Sequence, residues 1–401
     1  MANIADRAKG VSPSLTLEIT ATAKKMKAEG KPVISFGAGE PDFNTPDYIV
    51  EAAKRALDEG FTKYTPASGT DALEKAIVEK LRRDNGLEYT PQNIVVSNGA
   101  KHSLFNIFCA LLNAGDEVII PSPYWLTYPE LVKLNEGVPV FVDTKPENDF
   151  KMTAAELRKA ISPKTKALIL NNPCNPTGAV YSESEIKSLA AVLDNTDIYV
   201  VSDEIYEKLS YDYGQPYSIA AYSDRLKEHT IVVNGVSKTY AMTGWRIGYT
   251  ASSLEIAKAM SGIQSHTTSN PNSIAQYAAA EAYKSPKGEE FLSGMRVTFD
   301  NRRKLMIDKL AKIEEVSFIY PQGAFYVMVN IGSTFGKRTE SGVKINGAHE
   351  FALNILSSKN VAVIPCESFG ANEYIRLSYA ISEENIAEGL DRIAAFIKSL
   401  K

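Results

Sequence analysis

The sequence predicts an α/β fold, with a mostly parallel seven-stranded sheet in a large domain and a smaller α+β domain beside it. Three observations predict it. Between about residues 47 and 285, short apolar runs alternate with amphipathic helical stretches, the pattern of a parallel sheet covered by helices. Beyond a long helical stretch centred on Arg296 to Lys312, the order becomes strand, strand, helix, strand, strand, helix. The chain is also long enough: 401 residues at 44% hydrophobic content make two or three domains of roughly 100–200 residues each.

Each element follows from local pattern. The first 46 residues hold Val33-Ile34-Ser35-Phe36 but no complete core, so they are expected to pack on the C-terminal part. This sets a large domain at 47–290 and a small one from 1–46 and 291–401. The seven expected strands are Ile94 to Val96, Val118 to Ile120, Val138 to Val142, Ala167 to Leu170, Ile198 to Val201, Ile231 to Val233 and Ile247 to Thr250. Helices are expected over Asp71 to Arg83, Leu104 to Leu112, Glu183 to Leu193 and Ser273 to Tyr283, where apolar residues recur at helical spacing, and the last helix over Glu384 to Lys398. The Gly, Ser, Thr and Lys content of Gly332 to Asn346 marks a mobile surface loop.

Composition removes several classes of function. With 44 basic and 48 acidic side chains the net charge is -4, which gives no footprint for a phosphate backbone, so nucleic acid is not an expected partner. The densest basic stretch, Lys24-Lys25-Met26-Lys27 with Lys31, reads as a solvated helix face. No uncharged run approaches the ~20 residues of a membrane helix, and no membrane partner is expected. Cys109, Cys174 and Cys366 are too scattered for a disulfide framework or a metal motif, and the four histidines are equally dispersed. A reducing, cytoplasmic setting without a bound metal is the expectation.

In an open parallel sheet ligands bind beyond the carboxyl ends of the strands, so polar residues just after the apolar runs come first. Lys238 ends the segment beginning Thr230-Ile231-Val232-Val233; alone, a lysine there is an ordinary solvent-facing residue. Asp203 and Tyr206 end Asp197 to Tyr206, and as a pair they could be ordinary cap residues. Asn171-Asn172-Pro173-Cys174-Asn175-Pro176-Thr177-Gly178 contains two Asn-Pro turn formers. Ser97-Asn98-Gly99-Ala100-Lys101-His102 places small residues where a helix N-terminus can approach an anion. Trp125 ends another strand, and a tryptophan is as often core as ligand contact. Arg376, one guanidinium among the apolar residues of Tyr374 to Tyr379, calls for a carboxylate, which a structural ion pair would also supply.

Taken together the motifs are specific. Ser237-Lys238-x-Tyr240-x-Met242-x-Gly244-x-Arg246-x-Gly248 is similar to the cofactor-lysine signature of class I aminotransferases, the aspartate aminotransferase-like branch of fold-type I pyridoxal-phosphate enzymes, and the other motifs follow in family order from Gly37 to Arg376. The resemblance implies pyridoxal 5'-phosphate as cofactor, held as a Schiff base on Lys238, with Ser237 and Arg246 on its phosphate. Gly99, Ala100 and Lys101 match the phosphate-binding turn. Asp203 resembles the partner of the pyridine nitrogen, Tyr206 and Asn175 the partners of the ring hydroxyl, and Trp125 the aromatic residue on the ring. Arg376, with the Gly39 amide, Asn175 and Trp125, resembles the site for the substrate α-carboxylate. Tyr64, in Lys63 to Gly69, matches the tyrosine that reaches the phosphate of a neighbouring subunit, implying a homodimer with active sites at its interface.

Lys101, near Ser14 and Thr16, matches the basic residue used for a distal carboxylate in the prokaryotic branch, so L-aspartate and 2-oxoglutarate are the expected substrates. Relatives that use prephenate carry a basic residue where this chain has Ser12, which lowers that expectation. Alanine, aromatic amino acids and kynurenine are the rival donors, and a C-S β-lyase is a rival reaction on the same fold. A pyridoxal-phosphate-sensing regulator would need a DNA-binding helix-turn-helix ahead of the pattern, which starts almost immediately here.

Overall fold

The computed structural model describes residues 4–11 and 15–401. Its strands, in chain order, are β1 (Ile34–Ser35), β2 (Ile94–Ser97), β3 (Glu117–Ser122), β4 (Val138–Asp143), β5 (Thr165–Asn171), β6 (Tyr199–Asp203), β7 (Thr230–Gly235), β8 (Gly248–Ala251), β9 (Ser317–Phe318), β10 (Tyr326–Asn330), β11 (Val361–Ala362), β12 (Ile364–Pro365) and β13 (Tyr374–Ser378).

The seven apolar runs become one seven-stranded sheet in the order β2-β8-β7-β6-β5-β3-β4, with only β8 antiparallel to its neighbours. Alternation explains why these strands read as unbroken apolar runs. Val201, Ile231 and Val233 enter one core cluster with helices Ala100–Leu111 and Leu254–Thr267, whereas Val200 and Leu168 enter another with helix Glu183–Leu193. Both faces are covered, so the strand centres are apolar and the buried polar residues, such as Ser202, Asp203 and Asn234, fall near the carboxyl ends. Burying each such aliphatic side chain contributes about 1.5–3 kcal/mol.

Register aligns the strand ends that matter. Asn171 of β5 pairs with Asp203 of β6, and Asp203 pairs with Val233 of β7. β5 and β6 therefore finish level, β7 runs two residues further to Gly235, and their loops open on the same side.

A four-stranded antiparallel sheet, β12-β13-β10-β9, sets Arg376 opposite Met328 and Ile364. The N-terminal β1 pairs in parallel with β11. Helix Glu383–Ser399 is capped by the Ser382 side chain.

Three local expectations change. The long helix runs Lys287–Leu310, starting well before Arg296, because its buried stripe is Gly288, Leu292, Met295, Phe299, Arg303, Met306 and Leu310. A glycine and a buried arginine hide that period from a hydrophobicity count. The segment after the helix at Ala348–Lys359 contains three short strands, not two. The tract Gly332 to Asn346 is more than a loose loop: Thr334 and Ile345 are buried, the backbones of Arg338 and Lys344 pair in an antiparallel β-bridge, and the Arg338 amide donates to the Lys401 carbonyl at 2.7 Å.

Candidate active site

The loops after β2, β3, β5, β6 and β7 meet β13 and the N-terminal segment around a cleft of about 640 Å³. Its lining includes Gly39, Ala100, Lys101, Trp125, Asn175, Asp203, Tyr206, Ser237, Lys238, Arg246 and Arg376, residues spread over most of the chain. The charged residues that line it are Lys24, Lys27, Lys101, Lys238, Arg246 and Arg376 against Glu40 and Asp203. That balance favours anions.

Lys238 sits on a single helical turn, Val236–Thr239, directly after β7. Its Nζ donates to the Gly39 carbonyl at 2.5 Å and lies 6.0 Å from the Tyr206 ring centre. Burial pushes its pKa down to about 8, Arg376 and Arg246 adding to the effect against the attraction of Glu40 and Asp203. A neutral amine is thereby accessible near neutral pH, which a nucleophilic or proton-accepting lysine needs.

Asp203, at the end of β6, is buried. Burial pushes its carboxyl up to about 6, opposed by a hydrogen bond from the Tyr128 hydroxyl at 2.6 Å and another from the Ile205 amide at 3.3 Å. Such a group pairs with a cation placed beside it. Tyr206 shares a hydrogen bond with the Tyr326 hydroxyl at 3.1 Å.

Arg376 is buried on β13. Its Nη1 donates to Asn175 Oδ1 at 2.9 Å, its guanidinium lies 4.3 Å from the Tyr326 ring centre, and its Nε has no partner. Among the described residues no carboxylate pairs with it. The guanidinium is held in place with donor capacity unspent, which suits a carboxylate ligand. Asn175 is itself fixed by its amide, which donates to Asn171 Oδ1 at 2.8 Å.

A second anion position lies at the other end. Helix Ala100–Leu111 has Gly99 as its N-cap, with φ +86° and no side-chain cap. A Cβ on Gly99 would fall 2.1 Å from Arg246 Nη2. Only glycine lets that guanidinium lie over the helix N-terminus. Arg246 is anchored by bonds to the Thr243 and Asn98 carbonyls and has no carboxylate partner among the described residues, and buried Ser237 lines the same end of the cleft. Lys101 Nζ lies 4.9 Å from the Trp125 ring centre, and burial, with Arg246 nearby, lowers its pKa.

These residues fit pyridoxal phosphate: a phosphate cradle at Gly99 to Lys101 with Arg246, a buried carboxylate for a ring cation, an amine of lowered pKa, and a guanidinium for a carboxylate. No cluster of residues suited to a metal occurs among the described residues.

Four residues named from the sequence stand apart. Ser12 and Ser14 lie outside the described residues, as does the side chain of Thr16. Tyr64 is 90% exposed and does not line the cleft. Conversely, the cleft gains residues outside the motifs, Tyr128, Tyr326 and Phe369, together with Asn171 and Glu40, which lie in motif segments but were given no role. Tyr128 and Tyr326 carry no motif signal, since each matters through a partner far away in sequence. Lys24 and Lys27, expected on a solvated face, are exposed but line the cleft mouth, because helix Leu15–Ala28 lays one side along it.

The family model "Aminotransferase class I and II" matches residues 31–393. The chain is 49% identical to "Aspartate aminotransferase" of Bacillus sp. (strain YM-2) over 98% of this chain and 99% of that one. It is 48% identical to the protein of the same name from Bacillus subtilis (strain 168), with the same coverage. A solved aspartate aminotransferase from Rhizobium meliloti superposes with a TM-score of 0.96 at 42% identity, covering 100% of both chains.

Proposed function

The chain belongs to the class I and II aminotransferases, pyridoxal-phosphate enzymes of fold type I, and from that premise we propose that it moves the amino group of L-aspartate to 2-oxoglutarate, forming oxaloacetate and L-glutamate. The observation that carries the substrate class is Arg376, a buried guanidinium with an unpaired Nε in a cleft whose charged lining is mostly basic. Two dicarboxylates suit that charge.

Bound pyridoxal phosphate supplies the electron sink that lets an amino group and an α-proton move between an amino acid and a 2-oxo acid. The chain does the rest. Lys238 would hold the cofactor through its Nζ, and with substrate bound its amine would take the proton from the substrate α-carbon and return it at another atom. Asp203 would keep the pyridine nitrogen protonated, and the Tyr128 hydroxyl, donating to Asp203, favours its ionised form. Tyr206 and Asn175 would hold the ring hydroxyl, and Trp125 would cover the ring.

The backbone amides of Gly99, Ala100 and Lys101, with Ser237 and Arg246, would hold the phosphate. Arg376, with the Gly39 amide, holds the α-carboxylate, and Lys101 serves the distal one. Residues 47–290 make the large cofactor-binding domain, and 1–46 with 291–401 the small one.

Tyr64 belongs to the partner's site in a homodimer, a reading supported by its exposure beside Leu57 and Phe61, which are also exposed. The three cysteines are all free thiols, in keeping with a cytoplasmic location.

A panel of amino donors against 2-oxoglutarate, including alanine, aromatic amino acids, kynurenine and glutamate with prephenate as acceptor, tests the assignment. Aspartate should give the highest kcat/KM. A higher value for any other donor, or pyruvate release from cysteine conjugates as the main reaction, would replace it.

A further inference from the structure

A buried polar cluster touches the strand ends that carry the site, yet none of its members lines the cleft. Its centre is Glu207, one residue beyond Tyr206. The Glu207 carboxylate pairs with Lys80 and accepts hydrogen bonds from Asn85 Nδ2 at 3.0 Å, Gln215 Nε2 at 2.8 Å and Asn234 Nδ2 at 2.8 Å. Burial alone would push this carboxyl up, but Lys80 and Lys208 with the bonds from Lys80 and Asn85 hold it below the ordinary value.

An ionised carboxylate only accepts hydrogen bonds, so it dictates how Asn234 is turned. The Asn234 amide nitrogen must face Glu207, which leaves Oδ1 to accept from the Gly235 amide at 2.7 Å. Gly235 is the last residue of β7 and the N-cap of the turn that carries Lys238. Its surroundings leave no slack: a Cβ there would lie 2.8 Å from the Ile247 carbonyl oxygen and 2.9 Å from Gly248 Cα. A second tie, the Glu204 amide donating to the Val233 carbonyl at 2.9 Å, joins the two strand ends just before this point.

We propose that Asn234 and Glu207 are positioning residues for the reaction, fixing the Gly235 peptide and with it the aim of Lys238 relative to Asp203 and Tyr206. Asp203 and Tyr206 lie on one strand exit and Lys238 on the next, and the Asn234–Glu207 bond is a side-chain link between those two exits. Lys80 and Asn85, from helix Asp71–Asn85, anchor the link at its far end. A shift of the Lys238 amine of even an ångström separates it from the atom it must deprotonate, and misplacement on that scale costs about a hundredfold in rate.

The inference rests on Lys238 being the cofactor-bearing amine, so the test uses the holoenzyme and reads the cofactor itself. The pH midpoint of the visible cofactor absorbance is measured beside kcat and KM for the preferred donor. Asn234→Ala should move that midpoint by about half a unit or more and lower kcat by about tenfold, with KM changed by less than about threefold.

The double variant Asn234→Asp with Glu207→Gln reverses the polarity of the bond and keeps the pair's charge. It should bring the midpoint and kcat measurably back toward the parent from the values of Asn234→Ala, because the new carboxylate accepts from both Gly235 and the new amide, although Lys80 loses its partner oxygen on the Glu207 side. A lower Tm for Asn234→Ala with midpoint and kcat unchanged would show plain structural support and overturn the proposal. Should Asn234→Ala not fold, Glu207→Gln alone carries the same test, since a glutamine no longer dictates the Asn234 orientation; an unchanged midpoint and kcat there overturns it too. Lys238→Ala is the control: if it leaves the visible band in place, the assignment of Lys238 fails first, independently of Asn234.

Discussion

The Tyr128 hydroxyl donates to Asp203 Oδ2 across 2.6 Å, in a setting where both groups are buried. It is the bond that opposes the rise in the Asp203 pKa caused by burial, ahead of the Ile205 amide and Lys238. A hydrogen bond to the charged form of an acid lowers its pKa, so removing the donor raises it.

Tyr128→Phe should therefore move the acid limb of the kcat/KM profile upward by about one unit, for a charge-assisted bond of about 1.5–3 kcal/mol partly replaced by solvent. The loss is largest below neutral pH and shrinks in alkali, where Asp203 ionises regardless. A pH profile of both enzymes with the same donor checks this; a uniform loss at every pH would contradict the role.

Gly99→Ala tests the phosphate cradle. The backbone there, at φ +86° and ψ 160°, is one that only glycine adopts freely, and the new methyl would strike the Arg246 guanidinium. With strain of about 1–3 kcal/mol at such a site, pyridoxal phosphate should bind at least about tenfold more weakly. Equilibrium dialysis or fluorescence titration of the cofactor-free protein measures it.

Arg376 and Lys101 should divide the labour between the two carboxylates. Arg376→Lys removes the forked donor set and should lower kcat/KM by about a hundredfold for every donor. Lys101→Ala should lower it about tenfold for aspartate and leave alanine nearly unchanged. Equal losses for aspartate and alanine in the Lys101 variant would refute the division.

Glu204 gives a prediction for stability. Burial, with Glu207 adding to it, pushes its carboxyl up to about 7, against hydrogen bonds from Ser218 and Ser202 and the charge of Lys80. The folded protein thus holds a proton that the unfolded chain releases above its ordinary 4.5. The stabilisation from that proton is complete below pH 4.5 and lost as pH rises through 7. Glu204→Gln keeps an oxygen for the two hydroxyls and avoids burying a charge, so it should be more stable than the parent by about 1–3 kcal/mol at pH 8. The gap should narrow towards pH 5, as read by thermal or urea unfolding at each pH.

Much of the fold was legible because its signals are local. Strand runs such as Ile231 to Val233 are apolar on both faces, and helix Glu183–Leu193 announces its start with the Ser182 and Glu185 capping box. Helix Lys287–Leu310 was legible only in part, since Gly288 and Arg303 sit in its buried stripe. Buried Arg303 is tolerated because Asp300 and Asp212 bond its guanidinium, and Asp212 lies on a distant segment.

The residues that form contiguous loops were determined by the sequence itself: the turn at Gly99 to Lys101, the Asn171 to Gly178 loop, and the run from Ser237 to Gly248. A phosphate or a lysine-bound ring needs neighbours along one loop, so their chemistry is written within a few residues. Only the tertiary structure decided the partnerships of Tyr128 with Asp203, Tyr326 with Tyr206, Arg376 with Asn175, and Glu207 with Asn234. Each joins elements that the chain brings together only when strand order and register are set, and no local pattern encodes which tyrosine will face which carboxylate. Register carries the physical reason: because parallel β5, β6 and β7 exit on the same side, side chains from remote segments converge on one cleft, and a shift of one residue would send them to the opposite face.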